Sequence, residues 1–313
     1  MELLQIEKGS EARKPSKPEW LKIRAPSSSS SLASFQKIKH VLRARGLVTV
    51  CEEAHCPNMA ECWANESTAT FMVMGDTCTR ACKFCNVKTH YPGKPLDPDE
   101  PRKLAEAIAE IGLDYAVVTS VNRDDLKDQG AGHFAACIRE IKQQHPDCLV
   151  EVLIPDFRGD LDCVRMIVDA KPDVIAHNIE TTRTLTPNVR DPRAKYDQSL
   201  AVLKAVKEMD PRIFTKSSIM VGLGEKEEDV VQVMDDLRAV GVSIFTLGQY
   251  LRPSDRHLPV VEYIHPSVFE KYKRIGEEHG FAFVAAGPFV RSSYRAGELF
   301  VKYILQSPQS KPL

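Results

Sequence analysis

The chain has 313 residues, 43% hydrophobic and 27% charged, which are the proportions of an ordinary globular protein and set aside a disordered or fibrous one. A formal net charge of −1, from 42 basic and 43 acidic residues, provides no overall field to hold the molecule on nucleic acid or an anionic membrane. No apolar run approaches the ~20 residues that span a bilayer, and the N-terminal stretch lacks both a signal core and the arginine-rich, acid-poor character of a transit peptide, so a soluble, cytoplasmic enzyme is expected.

Residues 1–34 mix charge, proline and the serine run Ser27 to Ser31, and are expected to form an arm. FQKIKHVLRAR at 35–45 predicts a short helix that stops at Gly46. Six of the nine cysteines then fall between Cys51 and Cys85. An odd total without an export signal argues for thiols, metal ligands or catalysis rather than a disulfide framework.

Beyond Ala69 a strand and helix alternation repeats six times. Strands are predicted at 69–75, 114–121, 149–157, 173–180, 213–222 and 243–251, separated by stretches with apolar residues three and four apart. The strands are continuous apolar runs, the pattern of a parallel sheet covered by helices. No GxGxxG follows the first of them, and polar residues gather at Thr119 to Asn122, Asn178 to Glu180, Lys216 to Ser218 and Gln249 to Arg252. In a barrel those ends face one mouth. The fold class expected is therefore α/β, a partial (β/α)6 TIM-type barrel with an N-terminal cysteine-rich extension and a C-terminal tail segment.

Directly after the first strand, GDTCTRACKFCNVK sets Cys78, Cys82 and Cys85 in the pattern CxxxCxxC. A tetrahedral zinc wants four ligands and finds only three close thiols here, whereas a four-iron cluster can use three thiolates and keep its fourth iron open. With the aromatic Phe84 before the last cysteine, the segment resembles the signature of radical S-adenosylmethionine (SAM) enzymes. The resemblance implies a 4Fe–4S cluster on these cysteines, SAM chelated at the open iron, and reductive cleavage to a 5′-deoxyadenosyl radical. The bland alternative is a structural zinc knot or a chance group of buried thiols.

Upstream, VCEEAHCPNMAECW sets Cys51, Cys56 and Cys62 in the pattern CxxxxCxxxxxC, which alone is also compatible with a local zinc site borrowing His55. The two triplets together with GPFVRSSYRAGE near the C-terminus resemble the lipoyl synthase family, roughly from Cys51 to Glu298. That resemblance implies a second, auxiliary 4Fe–4S cluster held by Cys51, Cys56, Cys62 and a serine of the RSSY segment, Ser293 with Ser292 as the alternative. It implies an enzyme, a sulfurtransferase that inserts two sulfur atoms at C6 and C8 of a protein-bound N6-octanoyl-lysine. Its partners would be octanoylated lipoyl carrier domains, of a 2-oxoacid dehydrogenase E2 or a glycine-cleavage carrier protein, and an electron donor such as ferredoxin or flavodoxin. No nucleic acid and no membrane partner is expected. The implied divisions are 1–68 for arm and auxiliary-cluster motif, 69–285 for the radical SAM barrel and 286–313 for the tail. Without the resemblance, RSSY reads as a surface turn or a phosphate contact.

Positions at strand ends suggest Ser120 and Asn122 for the methionine amine of the cofactor, and Asn178 and Glu180 for ribose hydroxyls, each with the alternative of a satisfied loop polar group. Arg291 and Arg295 are candidates to orient the tail or meet an acidic carrier surface. Cys137, Cys148 and Cys163 read as small buried side chains. The histidines lack a metal spacing, and only His177, beside Asn178, stands near the expected mouth. A biotin synthase or methylthiotransferase, an iron–sulfur electron carrier and a zinc-organised binding module are the rival readings.

Overall fold

The computed structural model of the chain describes residues 16–22, 29–65 and 69–293. A 3-10 turn at Glu19–Leu21 tucks Leu21 into the interior. Helix α1 (Ser29–Arg45) follows, then strand β1 (Val48–Thr49), helices α2 (Val50–Glu53) and α3 (Met59–Asn65), strand β2 (Thr70–Val73) and the short strands β3 (Thr77–Cys78) and β4 (Lys88–Thr89). The alternation then runs α4 (Glu100–Ile111), β5 (Tyr115–Ser120), α5 (Ala131–Gln144), β6 (Leu149–Leu153), α6 (Leu161–Asp169), β7 (Val174–Ala176), α7 (Thr186–Val189), α8 (Tyr196–Met209), β8 (Phe214–Val221), α9 (Glu227–Ala239), β9 (Ile244–Gln249), α10 (Pro266–Glu278) and β10 (Phe283–Gly287).

One eight-stranded sheet has the order β1-β2-β5-β6-β7-β8-β9-β10; every neighbouring pair is parallel except β1, which runs antiparallel to β2. Among the described residues no ladder joins β10 back to β1, so the barrel is partial, as expected from the polar residues gathered at the strand ends. Its strands are buried on both faces: every residue of β2 and of β9 lies inside, which is why they read as unbroken hydrophobic stretches rather than alternating ones. Helix α1 joins the same interior through Ile38, Val41 and Leu42, which pack in one apolar core with Trp63, Phe71, Leu104 and Ile108. Each such fully buried side chain contributes roughly 1.5–3 kcal/mol relative to exposure. No helix among the described residues is long and apolar enough to cross a membrane.

Three local differences from the sequence expectations have physical causes. Helix α1 starts at Ser29, inside the expected arm, because once its apolar face is docked, extending a nucleated helix backward costs little. A seventh parallel strand, β10, follows a helix that starts with His265 accepting from the Ser267 N–H and Pro266 in the first turn. Its sequence, FVAAG, carries too little β-branched or aromatic character to stand out. Finally, Lys216 to Ser218 lie in the middle of β8, which continues to Val221, so they are not at the strand's end as expected.

Candidate active site

Strand β2 delivers the chain to the downstream cysteines through two successive left-handed residues, Met74 at φ 67° and Gly75 at φ 87°. The turn is pinned by Glu100, whose Oε2 accepts the Met74 N–H at 2.9 Å and contacts His133 Nε2 at 2.6 Å. Cys78 lies in β3, and its Sγ accepts the backbone N–H groups of Arg80 and Asn122, each at 3.4 Å. The Cys82 Sγ accepts the Asp191 N–H at 3.3 Å, and the Cys85 N–H donates to the Cys82 carbonyl at 3.1 Å.

Charged residues beneath the loop hold it rigid. Buried Arg80 donates to Asp124 (two bonds of 2.8 Å) and to Asp156 (2.8 Å), and Arg193 clamps Asp191, whose other oxygen accepts the Ala81 N–H at 2.9 Å. Burial alone would raise the Asp191 carboxyl; the Arg193 guanidinium and those backbone donors instead hold it well below the usual carboxylate range. Burial pushes the Cys82 thiol up to about 11 and the Cys85 thiol up to about 12. Without a cation these are protonated thiols; with N–H donors already aimed at two of the sulfurs, the set fits a metal that would supply the missing positive charge.

These cysteines open onto a cavity of about 560 Å³ at the C-terminal ends of the strands, the mouth position expected for a barrel site. The sequence-selected Phe84, Ser120, Asn122, Asn178 and Glu180 all line it. Ser120 Oγ and Asn178 Oδ1 are buried there with no hydrogen-bond partner among the described residues, which fits a polar ligand in the mouth. Burial raises the Glu180 carboxyl, against the nearby charge of Arg190. His177 is already satisfied on both ring nitrogens, by the Ile154 carbonyl and the Ser199 hydroxyl, each at 2.8 Å.

The upstream triplet is built on short helices beside β2. Thr49 caps α2, its Oγ1 accepting the Glu52 N–H at 3.3 Å, and the Cys56 N–H returns to the Cys51 carbonyl at 2.9 Å. Burial pushes the Cys51 thiol up to about 11, partly offset by Thr70 and the neighbouring Trp63 indole. Asn58 ties the loop to the far end of the chain, its Nδ2 donating to the Phe289 carbonyl at 2.7 Å. That segment crosses β9 so closely that a Cβ on Gly248 would stand 2.0 Å from the Val290 carbonyl oxygen.

The outcome is a second, smaller cavity of about 30 Å³ lined by Cys51, Cys56, Cys62 and Ser293. Ser292 lines only the larger cavity, whereas Cys51, Cys56, Arg291 and Ser293 border both. Three thiols, Cys51 buried and Cys56 and Cys62 half-buried, share one small space with the Ser293 hydroxyl, a donor set suited to an iron–sulfur group. Arg295 lies outside the described residues. Cys137, Cys148 and Cys163 are buried away from both cavities. Sequence reasoning passed over Glu151 and assigned Lys216 to the mouth, whereas both line the small cavity; the signal was a charged side chain in the middle of each strand.

The chain matches the family model for the radical SAM superfamily over residues 72–237. It is 60% identical over 296 residues to lipoyl synthase of Anaeromyxobacter sp. (strain Fw109-5), covering 95% of this chain and 99% of that one. Lipoyl synthase of Halobacterium salinarum is 58% identical over 299 residues, 94% of each chain. Among solved structures, the FeFe-hydrogenase maturase HydG from Carboxydothermus hydrogenoformans aligns with a TM-score of 0.53 at 11% identity, covering 88% of this chain and 84% of that one, a likeness of fold alone.

Proposed function

Because the chain belongs to the lipoyl synthase family within the radical SAM superfamily, we propose that its two cysteine triplets hold two separate 4Fe–4S clusters that serve one octanoyl chain between them. The chain is a sulfur-inserting enzyme whose reaction places two sulfur atoms, at C6 and C8, into a protein-bound N6-octanoyl-lysine, giving the lipoyl group. SAM and one 4Fe–4S cluster come with the superfamily. When bound, the downstream cluster and SAM supply the hydrogen-abstracting radical, and the upstream cluster supplies the sulfur.

The chain's own residues bind, orient and exclude water. Cys78, Cys82 and Cys85 hold the downstream cluster, while Ser120 and Asn122 take the methionine end of SAM and Asn178 and Glu180 its ribose, with Phe84 packed alongside. Cys51, Cys56 and Cys62 hold the upstream cluster, with Ser293 as the fourth ligand. The observation that carries this reading is the shared wall: five of the six cysteines border the mouth cavity, and Ser293, not Ser292, also borders the small one. A hydroxyl is a harder ligand than thiolate, so it suits an iron that must be released. An acyl chain in the mouth cavity would lie within reach of both sites, which is what near-attack geometry requires.

The protein partners that fit are octanoylated lipoyl domains of a 2-oxoacid dehydrogenase E2 or a glycine-cleavage carrier protein, with ferredoxin or flavodoxin as electron donor, in the cytoplasm. Residues 1–68, 69–285 and 286–313 are the corresponding arm with upstream motif, barrel and tail. Anaerobic reconstitution should give about eight irons per chain, and turnover with an octanoylated carrier should yield dithiolated product. Ser293→Ala should keep SAM cleavage to 5′-deoxyadenosine but abolish sulfur insertion, and Ser292→Ala should not. A wild-type chain holding only about four irons, or the reverse ranking of the two serines, would falsify the assignment.

A further inference from the structure

Tyr115, Glu151 and Lys216 meet inside the barrel, one from each of β5, β6 and β8. The Lys216 Nζ donates to Glu151 Oε1 at 2.7 Å and the Tyr115 hydroxyl to Oε2 at 2.6 Å. None of the three is more than 2% exposed. All three line the small cavity that Cys51, Cys56, Cys62 and Ser293 also line, and none of the three borders the mouth cavity.

A buried ion pair is a poor device for stability alone, because desolvation offsets the attraction and apolar residues of like volume do as well. The bonding pattern points elsewhere. Both Glu151 oxygens are engaged, so the carboxylate is a fixed anchor. An ammonium has three N–H groups, and among the described residues the one acceptor found for Lys216 is Glu151. The remaining donors belong to a side chain on the wall of a small cavity that the three thiol-bearing residues Cys51, Cys56 and Cys62 line as well, with Arg291 as a second cation and Thr70 and Ser293 as hydroxyls.

We propose that Lys216, anchored by Glu151 and Tyr115, donates hydrogen bonds to sulfur in the upstream cysteine site, making it a positioning residue that raises the reduction potential of the group held there and slows its loss of iron. The inference rests on the reading of Cys51, Cys56, Cys62 and Ser293 as a cluster site. Hydrogen bonds to cluster sulfurs and nearby positive charge stabilise the reduced, more negative form, and the low dielectric of a barrel interior strengthens both effects.

The test uses the full chain with Cys78, Cys82 and Cys85 replaced by alanine, so that only the upstream site loads. Against that parent, Lys216→Met should fold with an unchanged circular dichroism spectrum, show a lower midpoint potential in a redox titration, and give up iron to a chelator faster by about tenfold or more. Lys216→Arg, which keeps charge and donors, should restore both. If Lys216→Met alone fails to fold, the Glu151→Gln/Lys216→Met double variant removes both charges at once and should show the same lowered potential. Met and double variants that match the parent in potential and iron release overturn the inference and leave a merely structural pair. A parent that takes up no iron at all overturns the cluster reading first, and this inference with it.

Discussion

A neutral imidazole braces the loop that follows β7. The Ile154 carbonyl can only accept, so His177 Nδ1 carries the proton, and Nε2 accepts from Ser199, whose oxygen in turn accepts from Arg190 at 2.9 Å. Burial, with the Arg190 charge nearby, pushes the His177 pKa down to about 4 from 6.5. The unfolded chain therefore binds the extra proton first. Stability from this group is complete above about pH 6.5 and is lost as pH falls through the folded value, up to about 3 kcal/mol in all. Denaturant titrations at about pH 7 and about pH 5 should show roughly half of that loss, and His177→Asn should flatten the slope; equal slopes in both chains would remove His177 from the account. At this scale the cysteine groupings were legible because each triplet is local in sequence, and the structure gathers each one on a single cavity. Ser293 was not, since 231 residues separate even Asn58 from the carbonyl it grips in the serine's segment, and only the family resemblance singled it out. Lys216 was visible as a charge but was assigned to the mouth, because an apolar run locates a strand without saying where along it the sheet's C-terminal edge falls.

Between elements, the C-terminal segment crosses β9 at close range. Gly248→Ala would drive a methyl group into the Val290 carbonyl, so one of the two backbones has to move. Overpacking of this kind costs roughly 1–3 kcal/mol, and the part free to shift is the segment that carries Ser293. Iron analysis of the variant should show the upstream site partly emptied while the downstream site stays loaded; full loading at both sites would mean the segment tolerates the shift. Six strands were readable from the sequence because a parallel strand covered on both faces must be apolar throughout. The seventh was not, since FVAAG is short and ends in three small residues; where α10 packs on it, the helix supplies Gly276, whose Cβ would meet Val284 at 3.0 Å.

Among the described residues the sheet is left open, with β1 at one edge and β10 at the other. The segment after β10 is held to the N-terminal cysteine motif by Asn58 and lies along β9, so the two ends of the described chain complete a site that the strands alone leave unfinished. A chain ending at Gly287 should keep the cooperative unfolding of the barrel and the downstream cluster, and lose the upstream one; paired iron assays and thermal melts would show it, and retention of both clusters would contradict it. Cys51, Cys56 and Ser293 stand on the partition between the two cavities. An occupant that fills the mouth displaces water from one face of that partition as well as from the downstream loop. Exclusion of water there lowers the local dielectric and strengthens the electrostatic interactions of the groups on that partition.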